Sequence, residues 1–260
     1  MLAALCGLVV ELALAPQEGE VRELKSWAAE VGSYTWTARL KLEGAAAQLP
    51  EQAPVTGHYV RGQPVHLVQG AVEAFVKQYI VVFRREKEPW CWIDLEIKLP
   101  KPGASDQGGA KPAGPDHPRS KAGHGDLPTQ LVAIHLYHSI PPHEVFAGLD
   151  QILENISVQD RDGVRVLAGT ITKEWLGKLK VHGSLLGVNL RRGERQVRGE
   201  MRIALRPDGG EPRRCEMRID IESGSTIPPV KVTSHLTVEL SHVGETVVDV
   251  PAEAAELLAD

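Results

Sequence analysis

Three cysteines in 260 residues are too few for a disulfide-dense scaffold or a multi-cysteine metal module. No apolar run reaches the roughly 18 residues that a membrane-spanning helix needs. Basic residues do not dominate either. With 29 Lys and Arg against 34 Asp and Glu, the net charge is −5, which excludes a generally basic nucleic-acid binder but leaves room for a local basic patch. Signatures of chemistry are missing too: there is no Gly-x-Ser-x-Gly elbow, no Walker loop, no dinucleotide fingerprint and no His-Glu-x-x-His. What is present is an ordinary globular composition, 42% hydrophobic and 24% charged. The chain is long enough for one large β domain or two small ones.

Residues 1–15 are apolar and end in Ala13-Leu14-Ala15, the small-x-small pattern of a signal-peptidase site. They read as an export signal, and hence a periplasmic or otherwise exported protein, although no Lys or Arg lies near Met1 and Glu11 interrupts the stretch. A start inside a longer signal accounts for the missing basic region; the alternative is a buried N-terminal helix or strand. Residues 100–128 hold six Pro and six Gly and no aromatic residue. Such a stretch cannot bury enough apolar surface to offset its ordering entropy, so it reads as a long loop inserted into one domain spanning 20–260.

The fold class is legible in the spacing. Val21, Leu24, Trp27, Ala28 and Val31 share one helix face, and Gly32 is placed to stop that helix. Tyr34, Trp36, Ala38, Leu40 and Leu42 then alternate with polar residues, as a half-buried strand does. Further strands are expected at 56–61, 64–69, 71–77, 79–85 and 90–98, and the short connections imply an antiparallel meander. Pro141-Pro142 opens a helix through about Leu153, a strand follows at 163–171, and Thr172 caps a short helix to Lys180. The last third alternates most strictly. Val197, Met201, Ile203 and Leu205 form one apolar row, Cys215, Met217, Ile219 and Ile221 a second, and Val230, Val232, Leu236, Val238 and Leu240 a third. Long charged rows on the opposite parity predict a wet outer face with no covering layer, and place the helices on the apolar face. The expectation is a mainly β (α+β) fold, a large antiparallel sheet that curls and carries a few helices inside.

The candidate chemistry is thin. His135, His138 and His143, with Glu144 beside them, are the nearest approach to a metal cluster, but Pro141-Pro142 separates His143 from the other two; no metal is expected. Asp160 and Asp162 before Gly163 read as a turn, and Ser184 as a loop residue. Arg191, Arg192, Arg195, Arg198, Arg202, Arg213, Arg214 and Arg218 read as a solvated face paired with Glu200, Glu216 and Asp220, with an anion-binding patch as the alternative. Trp90 and Trp92 share a face opposite to Cys91, and nothing makes Cys91 a neighbour of Cys215, so no bridge is expected.

Several segments together resemble the LolA/LppX-like superfamily of periplasmic lipoprotein- and lipid-binding proteins, in particular its planctomycete members. They are Ser33-Tyr34-Thr35-Trp36-Thr37-Ala38, Gly57-His58-Tyr59-Val60-Arg61-Gly62-Gln63-Pro64, Pro142 to Leu149, Leu167 to Thr172 and Val248 to Ala254. The resemblance implies a half-barrel of about eleven strands with helices as a lid. It implies a non-enzymatic carrier with no catalytic residue and no cofactor. Its partner would be a hydrophobic ligand, a lipid acyl chain or a lipidated protein, with transient contact to a membrane surface, no nucleic acid and a monomeric state. The ligand would lie on the concave face, where parity places Tyr34, Trp36, Leu40, Met201, Ile203, Met217, Ile219, Leu236 and Val238. Two other functions compete: a structural or interaction module of the cell envelope whose half-barrel is filled by its own side chains, and a hydrolase with a non-standard site.

Overall fold

The computed structural model describes residues 16–45, 47, 51–95, 126, 129–130, 132, 136, 139, 141–161, 163–176, 195–207, 210–223 and 230–259. Residues 1–15 and all but Asp126 of the 100–128 insertion, on which the export and loop expectations rest, lie outside the described residues.

Helix α1 (Pro16–Glu30) buries Leu24 and Ala28 on the face that the spacing marks, with Val21 and Trp27 packed beside them. Its end differs from expectation. Gly32 does not take a left-handed conformation. Instead the Arg61 guanidinium donates to the carbonyls of Ala29 and Val31 at 2.5 and 2.9 Å, satisfying acceptors that a helix leaves orphaned.

Among the described residues, eleven strands form one open antiparallel sheet. The first meander comprises β1 (Ser33–Gly44), β2 (Val55–Val60), β3 (Val65–Gln69), β4 (Val72–Lys77), β5 (Ile80–Arg85) and β6 (Cys91–Asp94). The second comprises β7 (Leu153–Arg161), β8 (Val164–Ile171), β9 (Arg195–Leu205), β10 (Pro212–Ser223) and β11 (Val230–Ser241). The order is β6-β5-β4-β3-β2-β1-β11-β10-β9-β8-β7, so a single seam, β1 against β11, joins the two. Strands from both sides of residues 100–128 therefore belong to one sheet.

Two elements depart from the sequence reading. The helix expected through Leu153 ends at Ile152, as α2 (Pro142–Ala147) and α3 (Leu149–Ile152), and Leu153 begins strand β7. Strand β7 runs to Arg161, which pairs with Val164, so the turn expected before Gly163 links two strands; Asp162 lies outside the described residues. Beyond β8, Thr172 does cap a helical turn over 173–176, accepting from the Trp175 N–H at 3.4 Å.

The sheet carries two cores. On its inner face, α1, α2 and α3 pack over a large cluster that includes Tyr34, Trp36, Leu67, Phe83, Met201, Ile203 and Ile219. The outer face of β9–β11 is charged, as the alternation requires: Arg214 pairs with Glu216 and Glu239, Arg218 with Asp220, Lys231 with Glu222. The expectation that no layer covers the outer face fails at the other wing. Helix α4 (Ala252–Leu258) lies there, and Ala254, Leu257 and Leu258 bury Phe75, Ile80, Val82 and Trp90. Trp92 packs into the same outer cluster, while Cys91 faces inward.

Candidate ligand groove on the inner face

Pairing register carries the candidate site. Leu40, Leu236, Met217 and Met201 stand side by side across β1, β11, β10 and β9. The next row is Ala38, Val238, Cys215, Ile203 and, on β8, Leu167. Trp36 faces Leu240, and Ile219 lies opposite Ser234. Because side chains alternate with period 2, these rows share the inner face.

Burial divides the rows. Trp36, Met201, Ile203 and Ile219 are sealed, whereas Ala38, Leu40, Met217, Leu236 and Val238 are only half-buried. The half-buried five form one contiguous apolar patch at the seam between the meanders. A cleft of about 70 Å³ opens beside it, lined by Trp36, Ala38, Leu40, Val55, Leu236 and Val238, with Gln52, Ala53, Gln69 and Ser139 also in its wall. Gly57 sits opposite Trp36 on β2, and any Cβ there would overlap the indole, so a residue without a side chain is what lets Trp36 lie flat on the sheet.

Of the nine residues expected in the groove, Trp36, Leu40, Leu236 and Val238 line the cleft and Met217 borders it. Met201, Ile203 and Ile219 belong to the sealed packing. Tyr34 stands apart although it has the same parity. Its ring lies 5.7 Å from Trp27, 5.2 Å from Tyr59 and 5.8 Å from His143, in a hub that ties α1 and α2 to the sheet. The His143 backbone N–H donates to the Tyr34 hydroxyl at 3.2 Å, leaving that O–H to donate to His143 Nδ1 at 2.7 Å. Burial pushes the phenol well above its ordinary value. Burial first, and then the Arg61 charge, pushes His143 down to about 4. A neutral phenol–imidazole pair, its phenol buried and its imidazole half-buried, anchors a helix. Ala38 and Val55 line the cleft but were absent from the expected set. Ala38 lies on the parity already identified, and Val55 falls one residue before the expected start of its strand.

The remaining candidates resolve as follows. Among the described residues, no three His, Cys, Asp or Glu side chains converge as a metal site would require. His135, His138 and Ser184 lie outside the described residues. Arg191 and Arg192 lie outside the described residues; Arg202, Arg214 and Arg218 pair with Glu200, Glu216 and Asp220, which makes that face mixed in sign. Cys91 and Cys215 are both free, on opposite wings of the sheet.

No protein-family model and no curated protein matches this chain. Solved structures do resemble it. The Mycobacterium tuberculosis lipoprotein LppX is 13% identical with a TM-score of 0.44, the match covering 89% of this chain and 97% of that one. A LolA superfamily protein from Nitrosomonas europaea is 7% identical with a TM-score of 0.27, covering 90% and 94%.

Proposed function

We propose that this protein is a non-catalytic binding or carrier protein of the cell envelope, holding a hydrophobic ligand such as an acyl chain or a lipidated protein against the inner face of its sheet. The observation that carries this reading is the half-buried patch of Ala38, Leu40, Met217, Leu236 and Val238. Apolar rows at the centre of a sheet are normally covered, and these five are half-buried beside buried neighbours such as Met201 and Ile203. An alkyl chain laid along the seam would complete their burial at about 0.8 kcal/mol per methylene. Among the described residues the cleft wall holds no charged side chain, which suits an apolar occupant. Export is part of the proposal and rests on the apolar 1–15 segment; N-terminal sequencing of the secreted or periplasmic chain tests it.

A second reading has one observation in its favour. A cleft of about 70 Å³ is well below the roughly 300 Å³ at which small-molecule pockets begin. A half-barrel filled by its own side chains, serving as a structural module, would have such a cleft. Titration with a solvatochromic hydrophobic dye, followed by displacement with a long-chain acyl ester, separates the two. The carrier reading expects saturable, displaceable binding that Leu236→Glu removes. Binding that is absent or unaffected by the substitution favours the structural module.

A further inference from the structure

The outer face of the first meander carries a feature that an apolar inner groove does not require. After β11 the chain turns back through residues 242–251, without regular secondary structure, and ends in α4. This strap is fastened at both ends. At its root, the Gly244 N–H donates to the Ser33 carbonyl at 2.9 Å. At its tip, Lys77 Nζ donates to the Leu258 carbonyl at 3.4 Å. Between them Val248, Val250, Ala254, Leu257 and Leu258 cover Val60, Phe75, Ile80, Val82, Trp90 and Trp92. This cluster is separate from the inner core, on which Val243 at the root packs, so the strap beyond Val243 can leave without opening the helices on the other side.

Two histidines lie under the root. His58 and His66 stack with ring centroids 5.1 Å apart, and His66 stacks in turn on Phe75 at 4.6 Å. Thr246 donates to the His242 carbonyl, so its oxygen accepts from Thr35, and Thr35 in turn accepts from His58 Nδ1–H at 3.1 Å. The strap is thereby bonded to the histidine pair through one hydroxyl. The charges facing the pair are few. Glu73 accepts from His66 at 3.0 Å, but the same carboxylate already binds Arg84 at 2.7 Å, and Arg84 lies over the Trp90 ring. His242 flanks His58 from the β11 turn. On the strap and α4, Glu245, Asp249, Glu253 and Glu256 are exposed to solvent. With neutral imidazoles, Glu73 and Arg84 balance. Each proton added to His66 or His58 leaves a net positive charge beneath the strap, with Glu73, among the described residues the carboxylate that faces the pair, already shared with Arg84.

We propose that the His58–His66 stack is an acid-operated latch: protonation of the pair releases the C-terminal strap, residues 244–258, from the outer face while the half-barrel itself stays folded. The released state would expose Phe75, Val82 and Trp90 as a second apolar surface. The directions of titration agree with this. Burial holds both rings below their ordinary value, with the His66 charge acting further on His58 and the Glu73 carboxylate partly opposing the effect on His66. The closed state therefore binds fewer protons than the open one, so acid favours opening.

Hydrogen-exchange protection factors of the whole protein, corrected for intrinsic exchange, test the proposal at pH 7.5, 6.5 and 5.5. Protection at 246–258 should change little between pH 7.5 and 6.5 and fall by several-fold, up to roughly tenfold, for each titrating ring between pH 6.5 and 5.5, while β1 and β11 amides keep theirs. His58→Gln/His66→Gln should flatten that slope. If the double variant does not fold, His66→Phe, which keeps the stack and cannot titrate, should lower it. Strap protection independent of pH overturns the proposal. So does a loss shared equally by β1 and β11, or a slope unchanged in the folded variants.

Discussion

At the scale of single residues, burial sets both charge and reactivity. His143 is the clearest case. Its folded-state value of about 4 lies below the ordinary 6.5, so the stability it contributes is complete above pH 6.5 and is lost as pH falls toward 4. The ring is half-buried, and after solvent screening the effect between pH 7 and 5 comes to about 1 kcal/mol. Urea unfolding at those two pH values should show a smaller acid loss in His143→Gln than in the parent; equal losses would assign the acid sensitivity elsewhere. The cysteines make a second residue-level case. Burial pushes the Cys215 thiol up to about 12, and Cys91 is only half-buried. A thiol reagent at neutral pH should label Cys91 in the native protein and reach Cys215 only on unfolding. The unreduced, denatured chain from residue 16 onward should yield two titratable thiols, and none would mean a disulfide.

At the scale of elements, legibility in the sequence follows the solvent. Strands β9, β10 and β11 each have one wet face, so their alternation runs unbroken and fixes the register that builds the inner rows. Where that condition fails, so does the reading. In β7, Asn155 takes a positive φ of 53° and the register shifts between Glu154 and Ser157, so Leu153, Ile156 and Val158 do not fall on one parity. In β5, Ile80-Val81-Val82-Phe83 is buried on both faces, and the missing alternation is itself the signal that something covers the outside. The position of α4 there is a tertiary fact that the short Ala252–Leu258 segment does not announce. Within the groove, sequence parity finds the face but not the exposure: Met201 and Met217 are paired neighbours, one sealed and one half-buried. A pair of substitutions distinguishes these roles. Met201→Glu buries an unpaired carboxylate and should cost roughly 3 kcal/mol or more in denaturant unfolding. Leu236→Glu can reach water at the cleft and should cost about 1 kcal/mol while abolishing dye binding. Similar stability losses in both would mean that Leu236 is as sealed as Met201.

At the scale of the whole molecule, the β1–β11 seam is the organising contact. It joins two meanders that are otherwise local, and it brings Leu40 beside Leu236 from opposite ends of the chain. The apolar patch lies on that seam, so an occupant there would touch both halves of the protein at once. Two faces of one sheet thus carry separate cores, the inner under α1, α2 and α3 and the outer under the C-terminal strap. Among the described residues, no helix is long and apolar enough to cross a membrane. The central claim is that the inner face holds a hydrophobic ligand, and mass spectrometry of lipids extracted from the purified, folded protein tests it most directly. The account predicts an acyl-chain lipid in near-stoichiometric amount from the parent protein and its loss from a folded Leu236→Glu variant. No lipid above background from the parent, or an equal amount from the variant, would contradict it.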